Sequence, residues 1–168
     1  MMLSSMSTLR RRLGLLSAHL VVAVIALVVI GGATRVMEAG LACPDWPLCF
    51  GSFLPGRQMN VQVFLEWFHR LDAFVIGIAL VVMAVVTTLQ RRQLPRWLPW
   101  LAIGLMVLVV MQGGLGALTV TQLLPSAVVT AHLALAPTLV ALLSGLTQRL
   151  LHSAAAVAPP WWRLRAPP

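Results

Sequence analysis

The sequence contains no lysine and only four acidic residues, Glu38, Asp45, Glu66 and Asp72, against twelve arginines. Charged residues make up 10% of the 168 positions, where a soluble domain carries roughly a quarter. That scarcity excludes a water-exposed globule, because too little polar surface exists to cover one. With 60% of residues hydrophobic, the solvent for most side chains is lipid. The length leaves no room for a second sizeable domain, and no internal repeat is present. The net charge of +8 raises nucleic-acid binding, but that function needs a basic stripe on a soluble fold. The arginines cluster instead between apolar runs, as the positive-inside rule requires, so no nucleic-acid partner is expected. Cysteine is limited to Cys43 and Cys49, without the two further nearby ligands of a tetrahedral zinc site.

What is present is a series of long apolar runs. The first, residues 13–34, holds no charge and lies between Arg10-Arg11-Arg12 and Arg35. About twenty such residues at 1.5 Å each span a ~30 Å hydrocarbon core. A secretory signal has a shorter apolar region of roughly 7–15 residues, so the run reads as a membrane span. The segment Gly40-Leu41-Ala42-Cys43 lies too far beyond it for a lipoprotein signal. The second run, 64–89, carries Glu66, His69, Arg70 and Asp72 in its first two turns and is apolar afterwards. Residues 97–148 hold no formal charge and are too long for one span. A break at 119–126, with Gln122 and Pro125, divides them.

The expectation is an all-α, integral membrane four-helix bundle. Its helices lie at about 13–36, 64–89, 97–118 and 126–151. A basic tail occupies 1–12, an external loop 37–63, and a tail rich in Ala, Pro, Trp and Arg 152–168. That last segment, with Trp161, Trp162, Arg163 and Arg165, reads as an interfacial anchor. One side of the membrane receives Arg10, Arg11, Arg12, Arg91, Arg92, Arg96, Arg149, Arg163 and Arg165. The other receives only Arg35, Arg57 and Arg70. Both termini are therefore expected in the cytoplasm, with the cysteine loop on the outer side of a multi-pass protein, in a bacterial plasma membrane.

An oxidising exterior permits a disulfide between Cys43 and Cys49. A structural clip and a redox-active pair are both open at this point. The four histidines divide by depth. His19 and His152 lie toward the cytoplasm. His69 and His132 each fall in the first two turns of a helix running inward, within roughly 10 Å of the outer boundary. Two imidazoles at equal depth on two helices of a bundle can clamp a haem iron from opposite faces. The bland alternative is a pair of interhelical hydrogen bonds. Glu66 precedes His69 by three residues and shares its helix face. It is either a carboxylate beside a ligand, acting as base, acid or imidazole orienter, or half of an ion pair with Arg70. Asp72, about 60° around the helix from His69, is an equal candidate for a supporting partner. Arg35 and Arg70 suit haem propionates, or simply reach to headgroups. The small residues of Gln112-Gly113-Gly114-Leu115-Gly116 allow close approach by a helix or by a flat ligand.

These segments together resemble a known family. Gly31-Gly32-Ala33-Thr34-Arg35 followed by Gly40-Leu41-Ala42-Cys43-Pro44-Asp45-Trp46-Pro47-Leu48-Cys49 is similar to the first external loop of heme A synthases. Glu66-Trp67-Phe68-His69-Arg70 resembles the Glu-x-x-His-Arg signature of that family. Gln112-Gly113-Gly114-Leu115-Gly116-Ala117-Leu118-Thr119-Val120 and Thr130-Ala131-His132-Leu133 extend the likeness over residues 29–146. The cysteine loop followed by Glu-x-x-His-Arg is its specific part.

The resemblance implies an oxidoreductase that converts haem O to haem A. A porphyrin methyl becomes a formyl group with oxygen from water, for cytochrome oxidase assembly. It implies His69 and His132 as axial ligands to haem iron, Glu66 as a catalytic carboxylate, and a loop disulfide between Cys43 and Cys49. Haem O is the implied substrate, haem b a second candidate cofactor, and a haem O synthase a candidate partner. Long members of the family have two four-helix halves and four haem-binding histidines, and this chain resembles the amino-terminal half. A homo-oligomer or a missing second half is the corresponding expectation, since the second haem site has no ligands in this chain. Two other readings compete. One is a bis-His haem-binding or assembly subunit without chemistry of its own. The other is a four-helix thiol-oxidising membrane enzyme, which would need a second redox pair or a Cys-x-x-Cys unit.

Overall fold

The computed structural model describes residues 2–157. The anchor segment with Trp161, Trp162, Arg163 and Arg165 lies outside the described residues. The fold is all-helical: α1 (Met2–Val36), α2 (Val61–Leu89), α3 (Trp97–Thr121) and α4 (Ser126–Val157), with one 3-10 turn (Gly56–Gln58) in the first loop. All four helices are long and apolar enough to cross a membrane. The chain is a multi-pass membrane protein.

The helix ends differ from those expected, each for a local reason. The segment 1–12, expected as a tail, is helical from Met2. No Gly or Pro interrupts it before Leu13, and an apolar run marks where lipid lies rather than where hydrogen bonding begins. The first loop ends at Asn60, not at residue 63. The Asn60 side chain accepts the Val63 N–H at 3.0 Å and caps α2. Helix α3 continues past 118 to Thr121, because Thr119 and Thr121 donate their hydroxyls to the carbonyls of Gly116 and Ala117 within the helix. Helix α4 runs beyond 151 through Ala154-Ala155-Ala156, good helix formers. Between α3 and α4, Leu124 N–H reaches the Thr119 carbonyl at 2.8 Å and Leu123 N–H the Val120 carbonyl at 3.2 Å, a Schellman-type stop. Both leucines hold left-handed backbone, at φ 58° and 60°.

The helices pack in a ring, α1 on α2, α2 on α3, α3 on α4 and α4 back on α1. Short connections make neighbours antiparallel. The buried apolar core lies in the half of the bundle away from the first loop: Leu13, Leu20 and Val24 with Ile76, Leu80 and Met83, Leu98 and Leu105, Leu139 and Leu146. One pair of polar side chains there is satisfied between helices. Ser17 donates to the Leu143 carbonyl at 3.1 Å, and Thr147 donates to Ser17 at 2.9 Å. The loop-side half holds all four acidic residues, His69 and His132, and a second small core of Cys43, Cys49 and Val63.

Candidate functional site

The first loop is folded onto the start of α2 by side chains of that helix. Cys43 and Cys49 form a disulfide with Cα atoms 4.8 Å apart, and both residues are buried. The Asp45 carboxylate accepts the N–H groups of Phe50 at 2.6 Å and Gly51 at 2.8 Å. The Gly51 bond, more than any other interaction, holds the Asp45 carboxyl below the usual carboxylate range. The Trp46–Pro47 peptide is cis. From below, Arg70 Nη1 donates to the carbonyls of Asp45 and Leu48, both at 2.5 Å. Its Nη2 donates to the Cys43 carbonyl at 3.4 Å and pairs with Glu66. Glu66, only 4% exposed, accepts the Cys43 N–H on Oε2 at 2.7 Å. The indole N–H of Trp67 donates to the Phe53 carbonyl at 2.5 Å. Thus the Glu66/Arg70 pair, one turn apart on α2, reads the path of the loop backbone from Cys43 to Leu48.

Below this lid lie the two histidines. Counted at 1.5 Å per residue from the loop-side ends of their helices, His69, Gln112 and His132 sit at about 9–14 Å. The His69 ring, from α2, packs against α1 beside the Leu27 carbonyl and against Gly31. A Cβ at Gly31 would stand 2.9 Å from His69 Cε1, closer than real side chains approach. The His132 ring, from α4, packs against α3 beside the Gln112 carbonyl, and a Cβ at Gly116 would stand 3.7 Å from its Cε1. Nδ1 of each imidazole is buried without a hydrogen-bond partner among the described residues. In a membrane interior such atoms are costly. These two rings, from α2 and α4 and each with a buried, unpartnered Nδ1, are the residues able to hold a metal chelate. No group of three or more His, Cys, Asp or Glu gathers as a metal site among the described residues, and a bis-imidazole haem needs none.

The remaining candidates separate. Arg35 is exposed at the end of α1 and lines a hollow of about 260 Å³ with Glu38, Gly40, Leu41 and Leu124. Arg70 faces the loop carbonyls and Glu66 rather than open space. Asp72 is half-buried and makes no hydrogen bond or ion pair among the described residues. Three residues carry more than sequence reasoning gave them. Asp45 organises the loop. Arg70 clamps it. Gln112, 8% exposed, keeps Oε1 buried and unpartnered. The signal for Gln112 was its position as a lone carboxamide in an uncharged apolar helix.

A family model described as "Cytochrome oxidase assembly protein" matches residues 14–166. The chain is 32% identical over 123 residues to the heme A synthase of Shewanella oneidensis, covering 64% of this chain and 36% of that protein. It is 35% identical over 99 residues to the heme A synthase of Bacillus pumilus, covering 58% of this chain and 32% of that one. A third relative, the protoheme IX farnesyltransferase of Haloarcula marismortui, is 42% identical over 73 residues, 44% of this chain and 15% of that protein. The chain thus spans about a third of the length of the heme A synthases it matches.

Proposed function

The chain belongs to the cytochrome oxidase assembly protein family, and on that membership we propose that it is a haem O-oxidising membrane oxidoreductase, or the haem O-binding half of one, acting in haem A formation. The observation that carries the reading is the His69/His132 pair, with both Nδ1 atoms buried and unpartnered and each ring resting on a glycine of a neighbouring helix. In this reading His69 and His132 are the residues that would hold the macrocycle iron. When bound, the iron centre would supply redox chemistry by which a ring methyl and one water become a formyl group, four electrons and four protons passing to an external electron acceptor.

The residues of the chain do the rest. Gly31 and Gly116 give the rings room to stand against α1 and α3. The disulfide loop covers the site and keeps bulk water from it. Glu66 is the carboxylate for proton movement at its Oε atoms, held beneath Cys43 by that residue's N–H and by Arg70. Arg35, exposed at the same end, is the free guanidinium suited to a propionate. Arg70 acts by fixing Glu66 and the loop. The termini lie on the arginine-rich, cytoplasmic side and the cysteine loop outside, in a bacterial plasma membrane. A second four-helix unit, from another copy or as a missing second half, would complete the assembly. The likeness to a protoheme IX farnesyltransferase supports a haem O synthase as the partner that delivers substrate.

The test is co-expression with a haem O synthase, then extraction and chromatography of the haems. Haem A in the extract supports the reading. An intact, haem-loaded protein yielding only haem O overturns it. One observation favours a second reading, a bis-His haem-binding subunit without chemistry. Both carboxylate oxygens of Glu66 are already engaged, one by Cys43 and one by Arg70, as a structural carboxylate would be. Under that reading no haem A forms even in the parent protein.

A further inference from the structure

Among the described residues, the buried side-chain polar atoms without a hydrogen-bond partner are Arg10 Nε, His69 Nδ1, His132 Nδ1 and Gln112 Oε1. Arg10 stands at the far end of the bundle. The other three share one level on the loop side. The haem-site reading gives the two imidazoles a partner in the iron and its surroundings. It leaves Gln112 unexplained. This residue is more than nine-tenths buried, its own carbonyl stands beside His132, and the glycine that His132 touches lies one turn further along the same helix. Its backbone therefore stands beside the His132 ring, with a buried, unpartnered Oε1 on the same turn. A carboxamide surrounded by apolar groups, in a helix whose run from residue 97 to 118 is otherwise uncharged, is retained at a cost in the empty state. That cost is recovered by a bound group able to hydrogen-bond it.

The chemistry of the ligand narrows what that group is. The rim of protohaem carries methyls, vinyls and two propionates. The propionates are anionic and suit a guanidinium such as Arg35, nearer the loop, better than a neutral amide deeper in the bundle. Methyls and vinyls offer neither donor nor acceptor. A haem bearing a hydroxyalkyl isoprenoid chain, as haem O does, adds one neutral hydroxyl next to an apolar tail. A hydroxyl donates to Oε1 and accepts from Nε2, so it satisfies the carboxamide whichever way the amide group is turned.

We propose that Gln112 is a specificity residue of the haem pocket, whose carboxamide hydrogen-bonds the side-chain hydroxyl of a hydroxyalkyl haem and so favours that haem over protohaem. The inference rests on the His69/His132 haem reading and goes beyond it by naming what selects the substrate. A site built to pair a ligand hydroxyl rejects an analogue that lacks it, because its own buried polar group is then left unpaired.

The experiment uses the full chain in detergent, with Gln112→Leu and the near-isosteric Gln112→Met. Each is titrated separately with haem O and with protohaem, following the Soret band. The expected result is a loss of haem O affinity of about fivefold to tenfold, with protohaem affinity changed by less than about twofold. Thermal unfolding of the haem-free variants should be no lower than that of the parent, because an unpartnered amide has been replaced by an apolar group of similar size. Equal losses for the two haems would overturn the proposal, since the amide would then serve a feature they share, such as a propionate. No change for either haem would also overturn it. Failure of the underlying site looks different. In that case the parent binds neither haem through its histidines, and His132→Ala leaves the Soret titration unaltered.

Discussion

The imidazole of His69 rests on the backbone of Gly31, so closely that a Cβ at Gly31 would stand 2.9 Å from His69 Cε1. Two helices are thereby joined at the level of the proposed site by a contact that only glycine allows. The neighbouring Gly32 has nothing within 4 Å of where its Cβ would be. Gly31→Ala is expected to displace the His69 ring and lower haem affinity by at least tenfold, a loss of about 1.4 kcal/mol. Gly32→Ala should leave haem binding unchanged. Both raise the intrinsic helix propensity of α1 by a similar amount, about 1 kcal/mol, so the pair separates the ring contact from helix stability. Haem titration of the two variants makes the comparison.

Glu66 carries the second expectation. Glu66→Gln keeps the shape and removes the charge that faces Arg70. Haem A formation should be lost in cells supplied with haem O, while the haem content of the purified protein stays near that of the parent. Breaking a buried pair costs about 3 kcal/mol when the other charge is left uncompensated. Here the Arg70 guanidinium keeps its carbonyl partners, so the loss should fall below that figure. Arg70→Lys is the comparator. It preserves the charge but cannot span the carbonyls of Cys43, Asp45 and Leu48 together, and should loosen the loop more than Glu66→Gln does, as read by amide exchange at Cys43.

The disulfide closes a short loop. Chain-entropy reasoning for a loop of this length gives about 2 kcal/mol of stabilisation. Cys43→Ser with Cys49→Ser should lower the thermal stability of the outer loop by that order. It should also raise exchange at the Cys43 amide, because this N–H is the donor to Glu66. Haem binding should persist, since His69 and His132 are held by α1 and α3 rather than by the loop.

Asp45 sets a pH dependence for the loop. Its carboxyl is held below the usual carboxylate range, chiefly by the Gly51 N–H. A group whose folded pKa is depressed adds stability that is present above its unfolded value, about 3.9, and is lost as pH falls through the lower folded value. Amide protection at Phe50 and Gly51 should therefore be constant from neutral pH down to about 4 and fall below it. Asp45→Ala should remove the protection at every pH, with no acid transition. Hydrogen exchange corrected for its intrinsic pH dependence checks both.

Much of this was legible in the sequence. Four spans follow from run length and from arginine placement, because hydrocarbon thickness fixes both. The similar depth of His69 and His132 follows from counting turns from the loop-side ends of α2 and α4. Helix ends were less legible, since they are set by single side chains: Asn60 capping α2, and Thr119 and Thr121 turning their hydroxyls back into α3. The partners of Arg70 were not legible either. A guanidinium one turn from Glu66 announces an ion pair, but the carbonyls of Asp45 and Leu48 reach it only once the disulfide loop has doubled back over α2. Gln112 stood in a glycine-rich stretch that drew attention to helix packing, and its meaning depends on what remains unpaired around it after folding.

The central claim is that one four-helix unit binds haem between His69 and His132. The most direct measurement is electron paramagnetic resonance, with optical spectroscopy, on the purified ferric haem-loaded chain. The parent should give a low-spin bis-imidazole signal, which His69→Ala and His132→Ala each convert to a high-spin or haem-free form. A low-spin signal that survives both single substitutions would contradict the claim and place the haem elsewhere.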